Sequence, residues 1–305
     1  MNTNTKYLIS IVGPTAIGKT TLSIKLANHF NTEIISADSR QFFKDMHIGT
    51  AAPSEDELLA AKHHFIQHKS IQDDYNVGAF EKDALQCLTT LFKKHDVVIM
   101  VGGSGLYVDA VTKGLDDFPE IDKTFRDTLN NDFKTKGLEY LQQQLNELDK
   151  TSFESIAIDN PHRVIRALEI CIGTGKPYSS FLSKEKNKRP FKTISIGLTA
   201  NRDIIYSRIN ERVNIMMKNG LLDEVTKLLP YKNLNALNTV GYKELFNYLD
   251  GKWELDFAIS EIKKNTRRFA KRQLTWFKKN EEMLWFDYTT ESESIIEKIN
   301  SIILA

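Results

Sequence analysis

Residues 13–20 read GPTAIGKT, and the fold turns on this stretch. Gly13, four intervening residues, then Gly18, Lys19 and Thr20 is the spacing of a phosphate loop. In such a loop the backbone from Gly13 through Pro14, Thr15, Ala16 and Ile17 to Gly18 wraps a diphosphate, with every residue but Pro14 able to offer an N–H. Lys19 reaches the outer phosphate, and the Thr20 hydroxyl is a ligand for Mg2+. The flanks supply the required context: YLISIV (7–12) is a short apolar run suited to a buried parallel strand, and Leu22, Leu26 and Phe30 recur at helical spacing. A loop between strand and helix meets the positive end of the helix dipole, which favours anions. The pattern identifies a diphosphate and leaves open whether ATP or another molecule carries it.

Outward from the loop, strand-like and helix-like segments alternate through the first hundred residues, as a doubly wound sheet requires. EIISA (33–37) predicts a second strand ending at Asp38, AFEKDALQCLTTLFKK an amphipathic helix, and DVVIMV (96–101) a third strand running into GGSG. Right-handed crossovers bring Asp38, Ser104 and the phosphate loop to one rim of the sheet. From about Lys113 the character changes to turn-rich acidic sequence and then to helices marked by Phe125, Leu129, Phe133, Leu138, Leu141, Leu145 and Leu148. DNPHRVIRALEI starts another helix, capped by Asp159 or Asn160 with Pro161 in its first turn, on which Arg163 and Arg166 share a face. KEKNKRP (184–190) reads as a loop, FKTISIGLTA resumes the strand pattern, and the remainder reads as helical, broken at Gly220. The expectation is an α/β fold: a P-loop NTPase-like parallel sheet flanked by helices (1–112 and 191–305) with an inserted small helical domain (113–190).

A chain of 305 residues with 41% hydrophobic content is long enough for a full core. No apolar run has membrane-spanning length, and MNTNTKYLIS lacks the regions of a secretory signal, so a soluble, cytoplasmic protein is expected, without a membrane partner and as a monomer. Cys87 and Cys171 form no CxxC pair, which argues against structural zinc or a disulfide framework. The His63-His64 pair has no accompanying cysteine or acidic cluster, so local hydrogen bonds are expected rather than a metal. Net charge is +1, yet eight Lys and Arg and no acid lie between Ile262 and Asn280, interleaved with Phe269, Trp276 and Phe277. Such a run is either a solvated face or a phosphate-contacting one. Arg202, Arg208 and Arg212, after the late strand, either close over phosphates or are surface charges.

Ordinary phosphotransfer fits poorly. A kinase or ATPase needs a carboxylate at a strand end for its Mg2+ shell, but VVIMV ends in Gly102-Gly103-Ser104-Gly105. The acid at such a strand end is Asp38, in ADSRQ, which is either a turn residue or a base or metal-shell acid opposite the loop.

Eight blocks, GPTAIGKT, SADSRQFF, HIGTA, VGGSGLY, NPHRVIRALE, RDIIYSRINERV, VGYKEL and TRRFAKRQLTWFK, stand in an order and spacing that resemble the tRNA dimethylallyltransferases, or tRNA isopentenyltransferases, from Ile9 to about Asp287. The resemblance implies transfer of a dimethylallyl group from dimethylallyl diphosphate to N6 of adenine 37, 3′ of the anticodon in tRNA. The loop and Mg2+ would then hold the leaving diphosphate, with Lys19 and Thr20 stabilising its charge. Asp38 would deprotonate the adenine amine, and Ser104, where the family usually has Thr, would stand at the reacting end. By the same resemblance Asp38, Ser39, Arg40 and Gln41 lie along the target base, with Gln41 suited to adenine edges. Arg126 and the segment His162, Arg163, Val164, Ile165, Arg166 would hold the anticodon loop. Gly241, Tyr242 and Lys243, and Lys271, Arg272, Gln273 and Trp276 on the basic helix, would also meet RNA. This chain departs from the family in Ala52, which lacks an ammonium group, in Phe43, which lacks a hydroxyl, and in Lys243, which puts a point charge where an arginine fork is usual. Two other readings compete. A P-loop kinase for a small molecule or nucleoside phosphate would turn over ATP and leave the basic helix without a task. A non-catalytic RNA-binding module would make the intact Lys19-Thr20 pair coincidental.

Overall fold

The computed structural model describes residues 5–182 and 188–305 and divides the chain into two compact units, Met1–Lys113 with Lys188–Ala305, and Gly114–Asn187. The first unit opens β1 (Tyr7–Val12), α1 (Lys19–His29), β2 (Ile34–Ser36), α2 (Glu55–Ala60), β3 (His63–His64), α3 (Val77–Leu91), β4 (Val97–Val101), α4 (Gly105–Lys113). The second holds α5 (Lys123–Lys136), α6 (Leu138–Leu148), α7 (Lys150–Ser155) and α8 (Pro161–Thr174). The first unit resumes with β5 (Lys192–Thr199), α9 (Arg202–Lys218), α10 (Leu221–Leu228), α11 (Tyr242–Leu249), α12 (Leu255–Phe277), β6 (Leu284–Asp287) and α13 (Ser292–Ile303). Of the expected loop at 184–190, residues 184–187 lie outside the described residues.

The six strands form one parallel sheet in the order β3-β2-β4-β1-β5-β6. β4 reads as an unbroken apolar run and β1 as one interrupted by the buried Ser10, because both faces are covered, and alternate residues serve different cores. Ile9, Ile11, Ile34, Ile99 and Ile196 face Leu22 and Leu26 of α1, Ile205 and Ile209 of α9, and Ile295 and Ile299 of α13. Leu8, Val12, Ile35, Val98 and Met100 face Phe80, Ala84 and Leu88 of α3 and Val108 and Val111 of α4. A third core joins α9 through α12 around Leu221, Val225, Tyr242, Leu245 and Ile262.

The last part of the chain departs from an all-helical reading. LWFD forms β6 on the far edge, and Trp285 of β6 lies where a Cβ on Gly197 of β5 would stand. His63 and His64 form the opposite edge strand. Their local bonds are His63 Nδ1 to Ala61 O at 2.7 Å and His64 Nε2 to Glu33 at 2.6 Å.

The second unit has its own core of Leu129, Leu141, Leu145, Val164, Ile165 and Leu168. Asn160, rather than Asp159, caps α8, accepting the His162 N–H at 3.0 Å, and Pro161 stands in the first turn, where its missing N–H is no loss. Around Lys113 and Lys188 the first unit closes on itself: Arg189 donates to Val111 O (2.9 Å) and Ala110 O (2.6 Å) at the end of α4 and pairs with Glu81.

Candidate active site

The phosphate loop turns between β1 and α1 through two glycines of positive φ, Gly13 at +145° and Gly18 at +108°. A side chain at Gly13 would also meet Leu198 O of β5 at 2.6 Å, so only glycine lets the loop lie against its neighbour strand. Lys19 turns its ammonium back onto the loop and donates to Gly13 O (3.1 Å) and Pro14 O (2.8 Å). Two of the three arginines after β5 close over the same loop. Arg208 Nε donates to Ala16 O at 2.7 Å and Arg212 to Thr15 Oγ1 at 3.4 Å, whereas Arg202 lies over the Tyr206 ring. Burial, and then the neighbouring Arg212, lower the Lys19 pKa to about 8, with the Asp38 carboxylate pulling the other way. Burial and Arg208 lower that of Arg212. Three crowded cations around the loop form a site electrostatically prepared for an anion.

Asp38 follows β2 at the same rim. Ala37 N–H donates to Val101 O (2.8 Å), and a Cβ on Gly102 would overlap Ala37 O, so the glycines after β4 let the two strand ends approach. Asp38 Oδ1 accepts the Arg40 N–H at 3.0 Å. The Ser104 hydroxyl accepts the Ser39 N–H at 3.0 Å and lies 3.1 Å from the Ser39 hydroxyl, so its contact in the protein is with the Asp38 turn. Arg40 donates to Asn235 O and Ala236 O, and Gln41 Nε2 to Thr50 O (3.3 Å) and Ala51 O (3.0 Å).

Two cavities meet here. The smaller, about 210 Å³, contains the phosphate loop, Asp38, Glu57, Arg208 and Arg212. The larger, about 780 Å³, runs past Asp38, Ser39, Arg40 and Ser104 to Gly241, Lys243, Trp253, Arg272 and Trp276.

Several residues read as RNA contacts have other work in the fold. Gln273 is 5% exposed. Its Oε1 accepts the Thr15 N–H (2.9 Å) and its Nε2 donates to Gly103 O (2.9 Å), stapling the phosphate loop to the GGSG turn. Tyr242 is fully buried, and its hydroxyl donates to Glu224 at 2.6 Å, so its side chain is spent inside the third core. Val164 and Ile165 belong to the core of the second unit: at helical spacing they face inward while His162 and Arg163 stay exposed. Trp276 lines the larger cavity with its indole N–H given to Asp109 (2.8 Å). Lys243, Lys271 and Arg272 are exposed. On the second unit Arg126 and Arg166 converge on one buried carboxylate, Glu169, at 2.6 and 2.9 Å. Of the departures from the family pattern, Phe43 packs its ring into the third core, where a hydroxyl would need a partner.

One residue escaped the sequence reading altogether. Glu224, on α10, accepts the N–H groups of His47 (3.0 Å), Ile48 (2.7 Å) and Gly49 (2.9 Å) besides the Tyr242 hydroxyl. It thereby holds a strap, 47–52, that walls both cavities and whose Ala51 sits at φ +49°. No local pattern marks such an acid, because its partners lie some 175 residues away in sequence. Glu169 was legible in principle, three residues beyond Arg166 on one helix face.

Among the described residues no group of three His, Cys, Asp or Glu is placed to hold a metal. Among the same residues no helix is long and apolar enough to cross a membrane.

Comparison with known proteins covers nearly the whole chain. Residues 41–280 match the model of the family described as IPP transferase. The sequence is 62% identical to the tRNA dimethylallyltransferase of Christiangramia forsetii over 295 residues, 97% of this chain and 98% of that protein. It is 60% identical to that of Flavobacterium johnsoniae, covering 96% and 97%. The structure is similar to the tRNA isopentenylpyrophosphate transferase of Bacillus halodurans (37% identity, TM-score 0.71, covering 98% and 96%). It is also similar to a eukaryotic dimethylallyltransferase acting on tRNA (26% identity, TM-score 0.84, covering 98% and 79%).

Proposed function

This chain belongs to the IPP transferase family, and on that premise we propose that it is a tRNA dimethylallyltransferase, moving a dimethylallyl group from dimethylallyl diphosphate to N6 of adenine 37 in cytoplasmic tRNA. The observation that carries the reading is the meeting of the two cavities at Asp38. A diphosphate held by the loop points its ester carbon at a carboxylate, and the larger cavity beyond has room for a base. In a kinase the acceptor hydroxyl would need a similar base, but the basic face of α12 would then be idle.

The chemistry follows from the geometry. The allylic C–O bond breaks, and the electron pair goes to a diphosphate whose charge the loop amides, Lys19, Arg208 and Arg212 receive. Mg2+ bound with that diphosphate, through the Thr20 hydroxyl, would supply further neutralisation of the leaving group. The adenine amine is a poor nucleophile because its lone pair is delocalised into the ring. Asp38, with Oδ1 fixed by Arg40 N–H, offers Oδ2 to take the N6 proton as the N–C bond forms. Ser104 acts through Ser39 by fixing this turn. N6 leaves its stack most cheaply in a single-stranded loop, which matches an anticodon loop as acceptor. Arg126, His162, Arg163 and Arg166 of the second unit, and Lys243, Lys271 and Arg272 of the first, are the proposed partners of the RNA backbone.

The test is incubation with Mg2+, radiolabelled dimethylallyl diphosphate and unmodified tRNA, comparing the wild type with Asp38→Ala. Label is expected in wild-type tRNA and is lost with Asp38→Ala while tRNA binding persists. Absence of label where both ligands bind would sink the assignment and send the work to ATP consumption.

A further inference from the structure

We propose that Phe269 is the wall that receives the five-carbon group of the donor and so sets the enzyme's preference for a prenyl over a shorter alkyl diphosphate; the inference rests on the function proposed above. Phe269 lies on α12 between buried Ala270 and the helix's exposed basic face, and it is itself 37% exposed. Exposure of one phenyl ring means little by itself. Its position carries the argument, because Phe269 lines both cavities and therefore stands at their junction. The other residues common to the two are Thr15, Asp38, Thr50, Ala51, Arg212 and Gln273. Five of these carry polar groups and the sixth a single methyl, so among the described residues that line both cavities Phe269 is the one large apolar side chain.

A diphosphate gripped by the loop begins its alkyl group where the smaller cavity ends. Five carbons placed there must leave water for something, and hydroxyls, amides and charges are poor cover. The phenyl ring also presents a π face to the allylic carbons as positive charge develops on them when the C–O bond breaks. Arg272, with its guanidinium 5.7 Å from the ring centroid, packs over the same ring and restrains it. The acceptor base is better matched to the donors and acceptors of Asp38, Ser39 and Ser104 in the larger cavity.

The experiment is calorimetric titration of the full chain with Mg2+ and two diphosphates of equal charge, methyl diphosphate and dimethylallyl diphosphate, in the absence of tRNA. The wild type is expected to prefer the dimethylallyl ester by about tenfold, the order expected when roughly half of four added carbons is covered by apolar surface. Phe269→Ala is expected to reduce that preference to about twofold or less with methyl diphosphate affinity unchanged, and Phe269→Leu to retain most of it. Should Phe269→Ala keep the full wild-type preference, the inference fails while the transferase reading stands. The same holds if, in a parallel titration with unmodified tRNA, it loses only tRNA affinity, which would assign the ring to the acceptor base. If methyl diphosphate binding is lost in Phe269→Ala, the fold is damaged, and a wild-type-like or absent preference in Phe269→Leu and Phe269→Met decides for or against the ring. A wild type without preference that also fails to label tRNA overturns the function itself, and the inference with it.

Discussion

Lys19 offers a prediction whose size can be worked out. In the free protein its ammonium is crowded by burial and by Arg212, and its pKa falls to about 8. A bound diphosphate supplies the opposite charge, so the bound state favours protonated Lys19 and binding takes up a proton wherever the free lysine has lost one. At pH 7 about nine-tenths of the free protein carries the proton, and at pH 9 about one-tenth. The apparent Kd for an alkyl diphosphate should therefore rise about tenfold between pH 7 and pH 9, since the ligand's own last ionisation, near pH 6, is complete across that window. At pH 8 binding should absorb about half a proton, which calorimetry in two buffers of different ionisation enthalpy measures directly. Lys19→Met should bind weakly with a flat profile over the same range. Asp38→Asn removes the charge that supports the ammonium, so the rise should begin at lower pH. A wild-type Kd unchanged from pH 7 to 9, or no proton uptake at pH 8, would refute the pairing of a crowded Lys19 with a diphosphate contact, and the Lys19→Met affinity then tells which half fails.

Three further substitutions test the scaffold. Glu224→Ala leaves three strap N–H groups and the Tyr242 hydroxyl without their acceptor and should cost about 2–4 kcal/mol in urea denaturation, whereas Tyr242→Phe, which removes one bond, should cost about 1. A Glu224→Ala midpoint equal to the wild type's would deny the strap its anchor. Gln273→Leu keeps volume but breaks both bonds between the phosphate loop and Gly103. It should weaken diphosphate binding by about tenfold while tRNA affinity, measured at fixed salt, changes little, since the amide is buried. The reverse pattern would return Gln273 to the RNA surface.

What the sequence made legible was local. The phosphate loop, the strands before it and at 97–101, and the break at Gly220 each announce themselves within a few residues, through glycine spacing and apolar periodicity. β3 and β6, of two and four residues, are too short to show a period, and they exist because a neighbouring edge completes them. At the site, Lys19 and Asp38 came from motif positions, and the fold brings both to the lining of one cavity. Gln273 and Tyr242 were placed on the RNA because they lie inside blocks that resemble RNA-contacting ones, and a block does not say which way each side chain points. Helical spacing does: the apolar face containing Val164, Ile165 and Leu168 turns inward by the same periodicity that leaves His162 and Arg163 outside. Glu224 lay beyond reach, since its meaning is created only when α10 comes to rest against residues 47–49.

The clasp at Arg189 bears on how the chain can fold at all. By seizing the last carbonyls of α4 with a residue just past the insertion, the first unit closes Gly114–Asn187 into a polymer loop whose two ends are tied together by the fold that interrupts them. The entropy of closing a loop grows only logarithmically, about 0.6 kcal/mol for each doubling of its length. A guanidinium with two carbonyls and a carboxylate is on the scale needed to offset that increment. The interrupted sheet can thus tolerate a long excursion between β4 and β5, and the excursion, having its own apolar centre, is free to vary in length and surface without rewriting the sheet.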